Sequence, residues 1–159
     1  MNDTKPVHRA HAAALRFLSY RPRSEAEVRT RLRRRFSESL VDQVLELLKD
    51  ESLVDDAKFA RLWQESRDSH RPRSAWAVKR ELIAKGVDRS LADEAVQEMD
   101  DNENAYRAGL KPAQKDKDAE FPTFHRRLSG YLHRRGFSDS VSRRTIKRLW
   151  AEVRGEAEL

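Results

Sequence analysis

The sequence predicts an all-α chain of three tandem copies of a three-helix, helix-turn-helix-like unit, each about 50 residues long. Three observations carry this. Gly and Pro are scarce, at five each in 159 residues, which favours helix over a turn-rich β fold. Arg21-Pro22-Arg23-Ser24 returns 50 residues later as Arg71-Pro72-Arg73-Ser74, and the same step carries Val28 onto Val78, Leu32 onto Leu82 and Phe36 onto Gly86. A fainter third copy sets Pro122, Leu132 and Gly136 one step beyond Pro72, Leu82 and Gly86, and Val141, Ile146 and Leu149 one step beyond Leu91, Val96 and Met99. Finally, hydrophobic and charged residues each make up 38%. An ordinary globule has about 45–50% apolar and about 25% charged residues, so several thin cores are expected in place of one thick one.

Each copy reads as three helices. The first helices are expected at 8–19, 56–69 and 103–110. The X-Pro-X-Ser element then ends one helix and caps the next, because proline forces the residue before it out of the helical region. Ser24 and Ser74 are N-caps, and Glu27, three residues after Ser24, completes a capping box. The second helices carry single apolar stripes, Val28, Leu32 and Phe36 in copy one and Val78, Leu82 and Ile83 in copy two. Gly86 and Gly136 stand where a left-handed residue closes those helices. Third helices follow with stripes at Leu40, Val41, Val44, Leu45 and Leu48, then at Leu91, Ala92, Ala95, Val96 and Met99. Loops are expected at Pro22, Ser52-Leu53, Pro72 and Gly136. The alternating Lys and Asp of 111–120 predict a flexible hinge. The repeats are bounded as 1–53, 54–101 and 102–159.

Charge is sorted by helix. Residues 21–35 hold seven Lys/Arg against two Asp/Glu, a net of +5. Residues 36–57 net −6, 58–90 net +5, 91–104 net −6, and 121–154 net +7. One reading is solvated faces and weak intra-repeat pairing. The other is a basic stripe that meets a regular polyanion or an acidic protein groove. The stripe would comprise Arg21, Arg23, Arg29, Arg33, Arg34 and Arg35, then Arg71, Arg73, Lys79, Arg80 and Lys85, then Arg126, Arg127, Arg134 and Arg135. Charge reversal at Arg29 and Arg33 is expected to weaken partner binding more than reversal at Arg143 and Arg144. The aromatic side chains fall mostly at core positions, with Trp76, beside Arg73, the exception.

Catalytic and metal chemistry find little support. There is no cysteine, no HExxH, no Gly-rich phosphate loop and no nucleophile elbow. His8 and His11 share a helix face without an accompanying carboxylate motif, so no metal or cofactor is expected. Asp55-Asp56 has the look of a catalytic acid pair, but Asp55 stands before a helix and reads as its N-cap, with Asp56 favouring the helix dipole. No apolar run approaches the roughly 18 residues of a membrane span, and the polar start Met1–Lys5 does not resemble a secretion signal. A soluble, cytoplasmic, monomeric protein is expected.

These motifs together resemble a known family. Ser52-Leu53-Val54-Asp55-Asp56-Ala57-Lys58-Phe59-Ala60 is similar to the Gly-x-Leu-Asp-Asp-x-x-Phe-Ala signature of the RecX family. Arg71-Pro72-Arg73-Ser74 followed by Arg80-Glu81-Leu82-Ile83-Ala84-Lys85-Gly86-Val87 resembles its second-unit motif, and Ala14–Ser19 leading to Arg21-Pro22-Arg23-Ser24 resembles its opening. Ser52 and Phe36 depart from the pattern where glycine is usual, and altered turns are expected at both. The resemblance implies tandem three-helix repeats in an elongated, curved array. It also implies a regulator that binds the RecA–DNA filament, restrains its ATPase, strand exchange and coprotease activities, and in some members binds DNA directly. No catalytic residue or cofactor is implied.

Overall fold

The computed structural model describes residues 5–155. They form nine helices and no strand: α1 Lys5–Tyr20, α2 Glu25–Leu32, α3 Glu38–Asp50, α4 Asp56–His70, α5 Ala75–Ala84, α6 Arg89–Val96, α7 Asp101–Lys115, α8 Phe121–Arg134 and α9 Asp139–Val153. No helix among the described residues is long and apolar enough to cross a membrane.

The contacts gather into two compact units. One holds α1–α3, α4 as far as Trp63, and Glu81–Ala95; the other holds Gln64–Arg80 and the described residues from Val96 onward. The first is built on Ala10 and Ala14 of α1, Val28 and Leu32 of α2, Val41, Val44, Leu45 and Leu48 of α3, and Val54. The second is built on Ala105, Ala108 and Ala113 of α7, Phe124, Leu128 and Leu132 of α8, and Phe137, Val141, Ile146 and Leu149 around α9. In each, a first helix lined with alanine lies against larger aliphatic side chains of the third helix, so small residues set how closely the helices approach.

Four turns depart from the sequence-based expectation. The first concerns Phe36, which does not correspond to Gly86. Gly86 and Gly136 have φ of +83° and +87°, and the residues after them reach back five positions, Val87 N–H to Leu82 O and Phe137 N–H to Leu132 O. In copy one Phe36 N–H reaches back only four, to Leu32 O at 3.0 Å. Copy one lacks the glycine, and Phe36 is the counterpart of Val87 and Phe137. Beyond this turn the step between copies one and two is therefore 51.

Ser52 behaves in the opposite way. It was expected to alter its turn, yet it adopts the left-handed conformation itself, with φ of 59°, and Leu53 N–H closes on Leu48 O at 2.8 Å. A serine held there costs about 1–2 kcal/mol that glycine does not pay. Part is offset by the greater freedom of glycine in the unfolded chain. Ser52→Gly is expected to stabilise the chain by about 0.5–1 kcal/mol, read as a higher urea midpoint with an unchanged slope; a lower midpoint would contradict it.

Pro122 does not separate two helices as Pro22 and Pro72 do. It lies in the first turn of α8, where a missing N–H is tolerated, and α8 begins a turn early. Phe124, fully buried, thus fills the position held by Ser24 and Ser74 in the other copies. The expected hinge is also half helix, since α7 runs through Pro112 to Lys115. Proline deprives the Ala108 carbonyl of its helical partner, but buried Ala113 ties that last turn to the core.

Successive copies meet through a recurring joint. Asp55 caps α4 through Lys58 N–H, and Asp56 accepts the Glu25 N–H at the start of α2, 2.8 Å away. Asp100 likewise caps α7, and Asp101 accepts the Ala75 N–H at the start of α5, at 2.9 Å. Ser24 Oγ accepts from Glu27 N–H and donates to Lys85 O at 2.5 Å, just before Gly86. Ser74 N–H donates to Arg135 O, just before Gly136. The acidic pair at 55–56 is thus a cap followed by a tie.

Burial pushes the Asp56 carboxyl above its ordinary range; the Glu25 N–H opposes this, while the Glu25 and Asp55 charges add to it. A carboxylate raised in the folded state penalises folding above that pKa, and the penalty fades as pH falls through it. Asp56→Ala is expected to cost about 1 kcal/mol by stranding the Glu25 N–H. Asp56→Asn, which keeps an acceptor without charge, is expected to stabilise the chain at neutral pH, with the gain vanishing as pH falls through the raised Asp56 pKa. Urea unfolding at several pH values checks both, and equal losses for the two variants would contradict the joint.

Candidate polyanion-binding surface

The basic residues of α2 divide between two faces. Arg29 binds Asp42 of α3 at 2.5 Å and lies 3.6 Å from Glu25, and Arg33 binds Glu38 of α3 at 2.5 Å. These two arginines tie α2 to α3. Arg21 is likewise held by Glu27 at 2.5 Å, with Arg23 at 3.8 Å and Lys85 at 4.0 Å from the same carboxylate. Burial pushes the Glu27 carboxyl up, but the Arg21 bond, the Ser24 N–H and the Arg21 and Lys85 charges outweigh it and hold it below its ordinary value.

On the other face, Arg31, Arg34 and Arg35 join Arg23 and α1. The groove between α1 and α2 is lined by Arg16, Phe17, Tyr20, Arg23, Arg31, Arg34, Arg35 and Phe36, with no carboxylate in its lining. Arg9 continues it along α1 beside Arg16 and Arg35. Arg23 and Arg31 lie over the Phe17 ring, 4.0 and 5.4 Å from its centroid. Burial, followed by the Arg21 charge, lowers the Arg23 pKa, and Arg31 adds to this while Glu27 opposes it. Such crowding of like charge favours an anionic occupant.

The second unit has a related groove between α7 and α8, lined by Lys111, Pro112, Lys115, Asp116, Arg127, Tyr131 and Arg134. Arg127 is paired with Asp116 at 2.8 Å, and Arg135 stacks on Tyr131 at 3.9 Å. Arg126 and Arg134 are exposed and without an ion-pair partner among the described residues, as are Arg34 and Arg71. Arg80 lies 4.9 Å from the ring of Trp76, which is 59% exposed. Arg73 and Lys79 are half-buried and engaged within the protein. Lys85 also sits over the Trp63 ring, whose Nε1 donates to Glu81 at 2.7 Å.

Arg9, Arg16, Arg31, Tyr20, Lys111 and Lys115 were missed by the sequence reading. The signal was present in α1, where Arg9, Ala13, Arg16 and Tyr20 follow the steps of one helical face. His11 Nε2 shares a 2.8 Å hydrogen bond with Glu51 Oε1, which joins α1 to the end of α3.

Known proteins share this architecture. Residues 10–48 match the model of the RecX first three-helix domain, and 55–96 match that of the second. A regulatory protein RecX of a Mycobacterium species (strain KMS) is 37% identical, covering 98% of this chain and 89% of the relative. That of Chlorobium limicola is 35% identical over 89% of each chain. That of Streptomyces coelicolor is 32% identical over 96% of this chain and 84% of the relative. The crystal structure of RecX from Lactobacillus salivarius superposes with a TM-score of 0.78 at 23% identity, covering 92% of this chain and 97% of that one. From its two matched three-helix domains and these near full-length relatives, the chain belongs to the RecX family.

Proposed function

We propose that this chain is a non-catalytic regulator that binds the RecA–DNA filament and restrains its ATPase, strand exchange and coprotease activities. Family membership supports this, since the relatives are named regulatory proteins. The observation that carries it is the arginine-lined groove between α1 and α2, without a carboxylate in its lining. An open, basic, aromatic-flanked surface suits a partner with regularly spaced negative charge. The carboxylates with a possible catalytic look, Asp55 and Asp56, are engaged as cap and tie. On this reading the protein acts in the cytoplasm as a monomer and needs no cofactor.

Filament binding is tested by co-sedimentation with RecA assembled on single-stranded DNA with a slowly hydrolysed ATP analogue. The chain is expected in the pellet at saturable stoichiometry. Its recovery in the supernatant at every ratio would overturn the proposal. A second reading, direct binding to DNA without RecA, is favoured by the same groove.

A further inference from the structure

We infer that Ser37 is a phosphorylation site, and that its phosphoryl group seats among Arg9, Arg16 and Arg35 and closes that end of the α1–α2 groove to a polyanion. Ser37 follows Arg34-Arg35-Phe36 in the link between α2 and α3, and Arg34, Arg35 and Ser37 are all exposed. An arginine pair one residue ahead of a serine gives an acid-lined kinase cleft a cationic handle. Ser129 follows the same pattern in Arg126-Arg127-Leu128, but it is half-buried inside α8, where the backbone cannot extend into a cleft. Ser24 and Ser74, behind Arg23 and Arg73, are buried and occupied as caps.

The surroundings of Ser37 suit the modified side chain. It lines a cavity with Arg9, Arg16 and Arg35, beside Pro6, Phe36 and Leu40, and no carboxylate contributes to that lining. None of these three arginines has an ion-pair partner among the described residues. Arginine forks match pairs of phosphate oxygens. Glu38, the adjacent acid, is tied to Arg33 at 2.5 Å. Ser37 caps α3 by accepting the Leu40 N–H at 3.3 Å, a bond that a phosphoryl oxygen can take over. Negative charge at the start of a helix is itself favourable. The fold already carries an acid at this position. Since Phe36, Val87 and Phe137 are counterparts, so are the residues after them, Ser37, Asp88 and Ser138. Ser138 caps α9 but lies outside the basic α7–α8 groove. A phosphoryl group brings a charge of about −1.5 to −2 to the groove's arginines. In the transfer, Ser37 Oγ attacks the γ-phosphorus of ATP held by a kinase. The Oγ–P bond forms as the bond from that phosphorus to the departing ADP oxygen breaks, and the hydroxyl proton passes to the kinase's catalytic aspartate. The inference rests on the reading of the α1–α2 groove as the binding surface, and adds its regulation.

The test uses the full folded chain with magnesium–ATP and the catalytic subunit of an arginine-directed serine kinase, read by mass spectrometry. Phosphorylation is expected on Ser37, and the Ser37→Ala chain should stay unmodified. Peptides spanning 31–40 and 123–132 should both be modified, because their patterns are equivalent outside the fold. Modification of the folded chain at Ser129 in preference to Ser37, or of the 31–40 peptide but not the chain, would overturn the site. The consequence is read on chains with phosphoserine encoded genetically at position 37 or 138. Phosphoserine at 37 should raise the urea midpoint more than phosphoserine at 138, and Arg9→Gln with Arg16→Gln should abolish the excess. It should also weaken co-sedimentation with filaments about tenfold or more, against less than about threefold for the modification at 138. Equal midpoints, or equal co-sedimentation of the two modified chains where the unmodified chain pellets, would overturn the inference. An unmodified chain that fails to pellet would instead defeat the function proposed above, while the kinase and unfolding results still decide where the phosphoryl group sits.

Discussion

Gly86→Ala is expected to destabilise the first compact unit by about 3 kcal/mol, a large share of the total stability of a typical domain. Two separate costs combine. Gly86 has φ of +83°, a conformation that costs an L-residue about 1–2 kcal/mol. Its added Cβ would also stand 2.3 Å from Ala26 Cβ, and such overpacking adds about 1–3 kcal/mol. Relief by backbone movement would disturb the 2.5 Å bond from Ser24 Oγ to Lys85 O and the Val87 N–H bond to Leu82 O. The two costs can be separated. Ala26→Gly in the Gly86→Ala background should restore the share due to the clash and leave the conformational share of about 1–2 kcal/mol. Urea unfolding supplies the energies. A loss below about 1 kcal/mol for Gly86→Ala would contradict the close approach of these turns.

Phe124→Ala is expected to cost about 3–5 kcal/mol. Phe124 is the largest fully buried side chain among the described residues, and its ring meets that of Trp150 edge-on at a centroid distance of 5.0 Å. Removing it takes away buried area and leaves a cavity between α8 and α9 that neighbouring side chains refill only in part. Phe124→Ser should do no better, although serine caps the second helix at the matching position in the first two copies. Phe124 lies inside α8, three residues beyond its first, where a hydroxyl has no terminal N–H to satisfy. Urea unfolding followed by tryptophan fluorescence reads both variants. A serine variant markedly more stable than the alanine one would show that the copy retains a cap.

The sequence made the helices legible because their punctuation is local. Ser24 and Glu27 form the capping box that their spacing implies, and Gly86 and Gly136 take the left-handed conformation that no other residue type adopts so freely. The Phe36 turn was misaligned because a missing residue shifts the register without breaking the apolar pattern, and only the hydrogen-bond reach to Leu32 reveals it. Pro122 was misread for a related reason: proline is acceptable both before a cap and within a first helical turn, and its position alone does not distinguish them. The basic residues were legible as composition but not as surface. Arg29 and Arg31 are two residues apart, yet on a helix that spacing points them to different sides. Asp42 of α3 takes the first, and the second faces Phe17 of α1. Which carboxylate neutralises which arginine depends on helix packing, and packing is where the sequence pattern stops.

The proposed restraint of RecA through the basic grooves has a direct readout. The most direct measurement is RecA's single-stranded-DNA-dependent ATPase with the chain titrated in after filaments form. Saturating inhibition is expected at or below one chain per RecA, weakened by Arg31→Glu with Arg34→Glu but not by Arg143→Glu with Arg144→Glu. An ATPase rate that stays constant through a stoichiometric excess of the wild-type chain would contradict it.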